Sequence, residues 1–123
     1  MATQANPVGW FEIAGTDIDK TEAFYGDLFN WSFEDGPEGP SYRMVAAGDG
    51  IAGGVTTTQA GMPRNYALFS VIVPDVAATC TQVTELGGKV LVGPETMGDI
   101  GLVFANLEDI DGNVFGVFSP PTA

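Results

Sequence analysis

Residues 9–31 read GWFEIAGTDIDKTEAFYGDLFNW, and their interpretation decides the fold. An apolar, aromatic run from Trp10 to Ala14 is broken by Gly15-Thr16-Asp17. Asp17 suits a helix N-cap, because its carboxylate can accept the N–H groups that a first helical turn leaves without partners. Beyond it Ile18, Thr21, Tyr25 and Leu28 fall on one stripe of a helix of about three turns. The stretch is therefore a short strand followed by an amphipathic helix whose stripe needs a sheet to cover.

The pattern recurs. Residues 10–28 laid over 68–86 pair Trp10-Phe11-Glu12-Ile13 with Leu68-Phe69-Ser70-Val71, Asp17-Ile18 with Asp75-Val76, and Leu28 with Leu86. Further on, GDGIAGGV overlies DIDGNVFGV and pairs Gly50, Gly54 and Val55 with Gly112, Gly116 and Val117. The second match slides by four residues, which places a longer loop around GPETMGDIG. The chain reads as one domain over 1–123 made of two related modules, about 7–57 and about 67–120, with the turn-rich stretch about 58–66 as linker.

Each module has the same order. A strand (Trp10 to Ala14; Ala67 to Val73) leads through a capping Asp into a helix. In the second helix Val76, Cys80, Val83 and Leu86 form the stripe, and Gly87-Gly88 ends it. Three strands follow, near Trp31 to Glu34, Tyr42 to Ala47 and Ile51 to Thr57 in the first module. Their counterparts are near Lys89 to Val92, Gly101 to Leu107 and Asn113 to Ser119. GDG and DIDG carry hairpin-turn chemistry. The class is α+β, built on two β-α-β-β-β modules.

Sixteen acidic residues against four basic ones give a formal charge of −12, which argues against a nucleic-acid partner, since phosphate binding needs clustered Lys and Arg. The same charge would favour the arrival of a cationic ligand, or simply keep the protein dissolved. No stretch approaches the roughly 20 apolar residues that span a bilayer, and the first residues lack a secretory pattern, so no membrane partner and a cytoplasmic location are expected. Cys80 is alone, so no internal disulfide is expected, and its spacing from Val76 and Val83 suits packing.

The duplicated module, with its segments TDIDKTEAFYGDLFNW, VPDVAATCTQVTELGGKV and LEDIDGNVFGVFSP, resembles the vicinal-oxygen-chelate superfamily of glyoxalase I, bleomycin-resistance proteins and extradiol dioxygenases. The resemblance runs from about Pro7 to Pro120. It implies a curved mixed sheet around a ligand cup, helices on the outer face, and a site often completed across a dimer, so a homodimer is expected. It also implies a divalent metal at positions that here are Trp10, Gly54, Leu68 and Gly116. None of these side chains is a metal donor, and the chain has no His, so neither metal nor cofactor is expected.

Strand alternation puts Trp10, Glu12 and Ala14 on the cup face and Phe11 and Ile13 toward the helix. The other cup residues are Leu68, Ser70 and Ile72, then Ala52, Gly54 and Thr56, then Val114, Gly116 and Phe118. An apolar cup with an indole wall suits a small organic ligand, with a cationic or aromatic one among the candidates. The competing account is that Trp10 and Phe118 fill the cup and close it, leaving a structural or partner-binding subunit. Glu12, the one ionisable residue on that face, either serves a metal-independent isomerase, epimerase or lyase as general acid or base, pairs with a ligand ammonium, is bonded to Arg43 or Tyr42 on a neighbouring strand, or is open to water at the cup's rim. Tyr25 reads as core. EDIDGN lacks most ligands of a calcium loop and reads as a turn at Asp111-Gly112.

Overall fold

The computed structural model of the chain describes residues 5–37, 39–46, 48–97 and 101–120. Its elements are β1 (Val8–Gly15), α1 (Ile18–Phe29), β2 (Ser32–Gly36), β3 (Gly39–Ala46), β4 (Gly53–Thr57), β5 (Tyr66–Ile72), α2 (Val76–Glu85), β6 (Lys89–Met97), β7 (Leu102–Glu108) and β8 (Val114–Ser119). This is the mixed α+β order that the repeat predicts, strand-helix-strand-strand-strand twice over. The chain divides into two compact units, Trp10–Leu68 and a second made of the segment ending at Gly9 with Phe69 onward.

In the first unit the strands lie in the order β2-β3-β4-β1, with β1 parallel to β4 and β3 antiparallel to β4 and β2. Asp17 caps α1 as expected, its Oδ1 accepting from the N–H groups of Asp19 (3.0 Å) and Lys20 (3.2 Å). Asn30 ends the helix in the left-handed region at φ 59°, a conformation that Asn tolerates better than most residues, and its N–H bonds Gly26 O at 2.8 Å. Arg43 on β3 holds α1 against the sheet through Asp19 (2.8 Å) and Glu22 (3.0 Å).

Beneath the helix the packing is aromatic. Tyr25 stacks on Trp31 with ring centres 5.7 Å apart, and Phe11 and Phe29 each lie 5.4 Å from Trp31. Tyr25 is therefore a packing residue, as its place on the stripe suggests. Leu28 is not: it is 58% exposed, because it sits roughly 80° around the helix from Ile18 and drifts off the buried line. Strand boundaries also move, with β3 beginning at Gly39 rather than near Tyr42. Trp31 precedes β2 and closes the aromatic cluster instead, and β4 starts only at Gly53, so Ile51 and Ala52 are exposed residues outside the strand as the chain leaves the Gly48 turn.

In the second unit the order is β5-β8-β7-β6, with β5 parallel to β8 and β7 antiparallel to both its neighbours. Asp75 caps α2 by accepting from Ala78 N at 3.0 Å. The core joins Val73, Val76 and Cys80 to Ala105, Leu107 and Val117, so Cys80 packs as expected and burial pushes its thiol up. Leu86 is 70% exposed, for it is the C-cap rather than a member of the stripe, and Gly87 follows at φ 98°.

The insertion in GPETMGDIG is not the plain loop expected. Residues 93–97 belong to β6, with Glu95, Thr96 and Met97 paired to Phe104, Val103 and Leu102; residues 98–100 lie outside the described residues. The extra length is absorbed by irregularities between Val90 and Glu95, where Gly93 takes φ 90°. The DIDG turn forms as expected, with Asp109 Oδ1 accepting from Asp111 N (2.8 Å) and Asn113 N (2.9 Å) and Gly112 at φ 87°. Among the described residues no helix is long and apolar enough to cross a membrane.

Candidate functional site

Strand alternation sorts the two faces of β1 as expected. Phe11 points to the aromatic cluster under α1, while Trp10 and Glu12 meet on the other face through a third residue, Tyr42 of β3. The indole N–H of Trp10 donates to the Tyr42 hydroxyl at 2.9 Å, and that hydroxyl donates to Glu12 Oε1 at 2.9 Å. Tyr66, the first residue of β5, donates its hydroxyl to Glu12 Oε2. Both oxygens of Glu12 therefore accept a phenol. Of the two partners that the sequence offers Glu12, it takes Tyr42; Arg43 is turned the other way, to Asp19 and Glu22.

The register explains how Tyr42 gets there. Glu12, Gly54 and Met44 form one row across β1, β4 and β3, and Ala14, Thr56 and Tyr42 the next. From that second row the Tyr42 side chain lies back over Gly54, so close that a Cβ built on Gly54 would overlap its hydroxyl, Cζ and Cε1 atoms. Gly54 is needed here for space. Thr56 is buried and its hydroxyl is engaged with Ser41 O at 2.9 Å, tying β4 to β3.

Burial, and next the Glu12 carboxylate, push the Tyr42 and Tyr66 phenols well above the ordinary tyrosine value. At physiological pH both are therefore fixed hydrogen-bond donors. Tyr66 is 8% exposed.

The remaining expected cup residues divide between the units. Leu68, buried, completes the first unit at its end of β5; Ala52 is exposed and outside any strand. Ser70, Ile72, Val114, Gly116 and Phe118 belong to the second unit. There Ser70 pairs with Gly116 and Ile72 with Phe118, and the sequence reading overlooks Asn106, which pairs with Gly116 from the other side. It overlooks Tyr66 as well, by assigning it to the linker. The signal was present: Tyr66, Leu68 and Ser70 alternate, and all three are buried. Among the described residues no group of three or more His, Cys, Asp or Glu gathers.

Fold and alternation together define a duplicated α+β scaffold, with Trp10, Glu12 and Tyr42 joined on the face of β1 opposite Phe11. Residues 8–117 match the Glyoxalase/Bleomycin resistance protein/Dioxygenase superfamily, and the chain belongs to it. A glyoxylase-like domain-containing protein of Didymella fabae is 31% identical over 120 residues, covering 93% of this chain and 94% of that protein. Among solved structures, a member of the same superfamily from Vibrio splendidus is similar with a TM-score of 0.64 at 16% identity, over 94% of this chain and 99% of that one. Methylmalonyl-CoA epimerase from Mycobacterium tuberculosis is similar with a TM-score of 0.60 at 15% identity, over 99% and 93%. At such identities these structures share the fold.

Proposed function

We propose that the protein binds a small organic ligand at the Trp10–Tyr42–Glu12–Tyr66 network without a metal. The observation that carries this reading is the clamped carboxylate: both Glu12 oxygens accept phenols. The superfamily's metal positions do not fit an ion here. Trp10 and Leu68 have no donor for one, the Trp10 N–H is already given to Tyr42, and a side chain at Gly54 is barred by the Tyr42 ring. A carboxylate beside an indole and two phenols instead suits an aromatic ammonium, which gains an ion pair together with cation–π contact. The charge of −12 favours the arrival of such a ligand.

The test is a fluorescence titration of chelator-treated protein with benzyltrimethylammonium, in a Trp31→Phe background where Trp10 is the remaining indole. Saturable quenching is expected, lost in Glu12→Gln. No saturable change at millimolar probe would sink the reading.

A second reading is favoured by one feature. Each Glu12 oxygen keeps a lone pair beyond its phenol bond, so the carboxylate is oriented yet still able to take a proton from a bound substrate. Metal-independent isomerisation or epimerisation through Glu12 would use that capacity. Glu12→Gln separates the two: turnover unchanged in that variant removes Glu12 from any proton transfer.

A further inference from the structure

The two units treat equivalent positions differently. In the first, the row Glu12–Gly54–Met44 is roofed by the Tyr42 ring. In the second, the matching row is Ser70–Gly116–Asn106, continued by Val92 on β6. The residue matching Tyr42 is Phe104, and it does not roof Gly116. The atoms nearest a Cβ built on Gly116 are instead polar: Ser70 Oγ at 2.9 Å and Asn106 Oδ1 at 3.3 Å.

Ser70 and Asn106 are each 7% exposed. Among the described residues neither side chain has a hydrogen-bond partner. No buried side-chain N or O there is left unsatisfied, so both polar ends must still reach solvent. A hydroxyl and a carboxamide on otherwise buried residues, with no protein partner and open only at their polar ends, can exchange water for the polar group of a ligand. We propose that Ser70, Asn106 and the bare Gly116 form a seat for a neutral carboxamide group of a small organic ligand, separate from the Glu12 network.

The chemistry selects that class. Asn106 presents a donor and an acceptor side by side, whose complement is another amide, and Ser70 can supply a third bond. No charged residue stands in the row; the first on that face of β7 is Glu108, two residues along and paired opposite Lys89, so an anion has no dedicated cation. In the adjoining row Ile72, Phe118 and Phe104 offer apolar surface for the carbon body of such a ligand, and the row ends on β6 at Glu95, whose carboxylate is a further reason that an anion is disfavoured. The absent side chain at Gly116 leaves the space between the two polar groups.

The test is an NMR titration of the full chain with benzamide, following the Asn106 side-chain amide and the Gly116 backbone amide. Saturable shifts of both are expected in the millimolar range proper to so small a probe. Benzoate should bind about tenfold more weakly or worse, the scale of one lost buried hydrogen bond. Ser70→Ala should weaken benzamide by a similar factor in a chain whose spectrum remains folded, and Gly116→Ala should abolish the shifts. Glu12→Gln should leave them intact, so loss of ammonium binding at Glu12 and loss of this seat are read separately. Absence of saturable shifts at Asn106, equal binding of benzoate, or undiminished binding in Ser70→Ala would each overturn the proposal.

Discussion

The hydroxyl of Tyr66 bonds Oε2 of Glu12 across 54 positions of sequence. With Tyr42 on the other oxygen, it fixes the carboxylate from two strands at once. A side chain with three rotatable bonds is thereby held in one place, which is what a binding or proton-transferring carboxylate needs.

Replacing Tyr66 by Phe removes one of these donors and leaves a half-buried carboxylate oxygen without it. A loss of about 1–3 kcal/mol in urea-induced unfolding is expected. Glu12→Ala combined with Tyr66→Phe should cost less than the two single changes added together, because each alone already removes the bond between them. Strict additivity would mean that the two groups do not interact in solution.

The same network is expected to weaken the fold at alkaline pH. Tyr42 and Tyr66 have folded values raised by burial and then by Glu12, so the unfolded chain releases these protons first as pH rises. Their contribution is fully present below the unfolded tyrosine value of about 10 and is lost as pH climbs above it toward the folded values. In a Tyr25→Phe variant, where these two are the remaining tyrosines, tyrosinate absorbance should appear together with loss of the far-ultraviolet dichroism. Tyrosinate forming in an intact fold would contradict this.

Gly54→Ala should destabilise by about 1–3 kcal/mol, since the new methyl group meets the Tyr42 ring. Removing the ring should relieve the clash, so Tyr42→Ala with Gly54→Ala should be less harmful than the sum. Thermal unfolding of the four chains decides it.

At the acid end, Asp109 is held below its ordinary value by the backbone N–H of Asn113, then by that residue's side chain and the Asp111 N–H. A depressed carboxylate contributes stability above its unfolded value and loses it as pH falls through the folded one. The acid limb of a stability profile should therefore be shallower in Asp109→Ala than in the parent, and an unchanged limb would show that the turn does not supply it.

Much of this arrangement is written locally. Asp17 and Asp75 cap their helices because capping depends on one side chain and the next three amides. Trp10 and Glu12 share a face because alternation has a period of two. What escaped the sequence depends on distant packing. Tyr66 follows a turn-rich stretch and looks like its last residue until β5 forms around it. Asn106 gains meaning only once β8 brings Gly116, and through it Ser70, alongside. Leu28 and Leu86 fit a stripe on paper, yet one drifts around the helix and the other stands just beyond its end.

If the tyrosines, and not a metal, complete the Glu12 site, calorimetric titration of chelator-treated protein with Zn²⁺ should show no tight stoichiometric binding, leaving at most weak, salt-sensitive heats from surface carboxylates, identical in the parent and in Glu12→Gln. A tight site of one ion per chain that disappears in Glu12→Gln would contradict it.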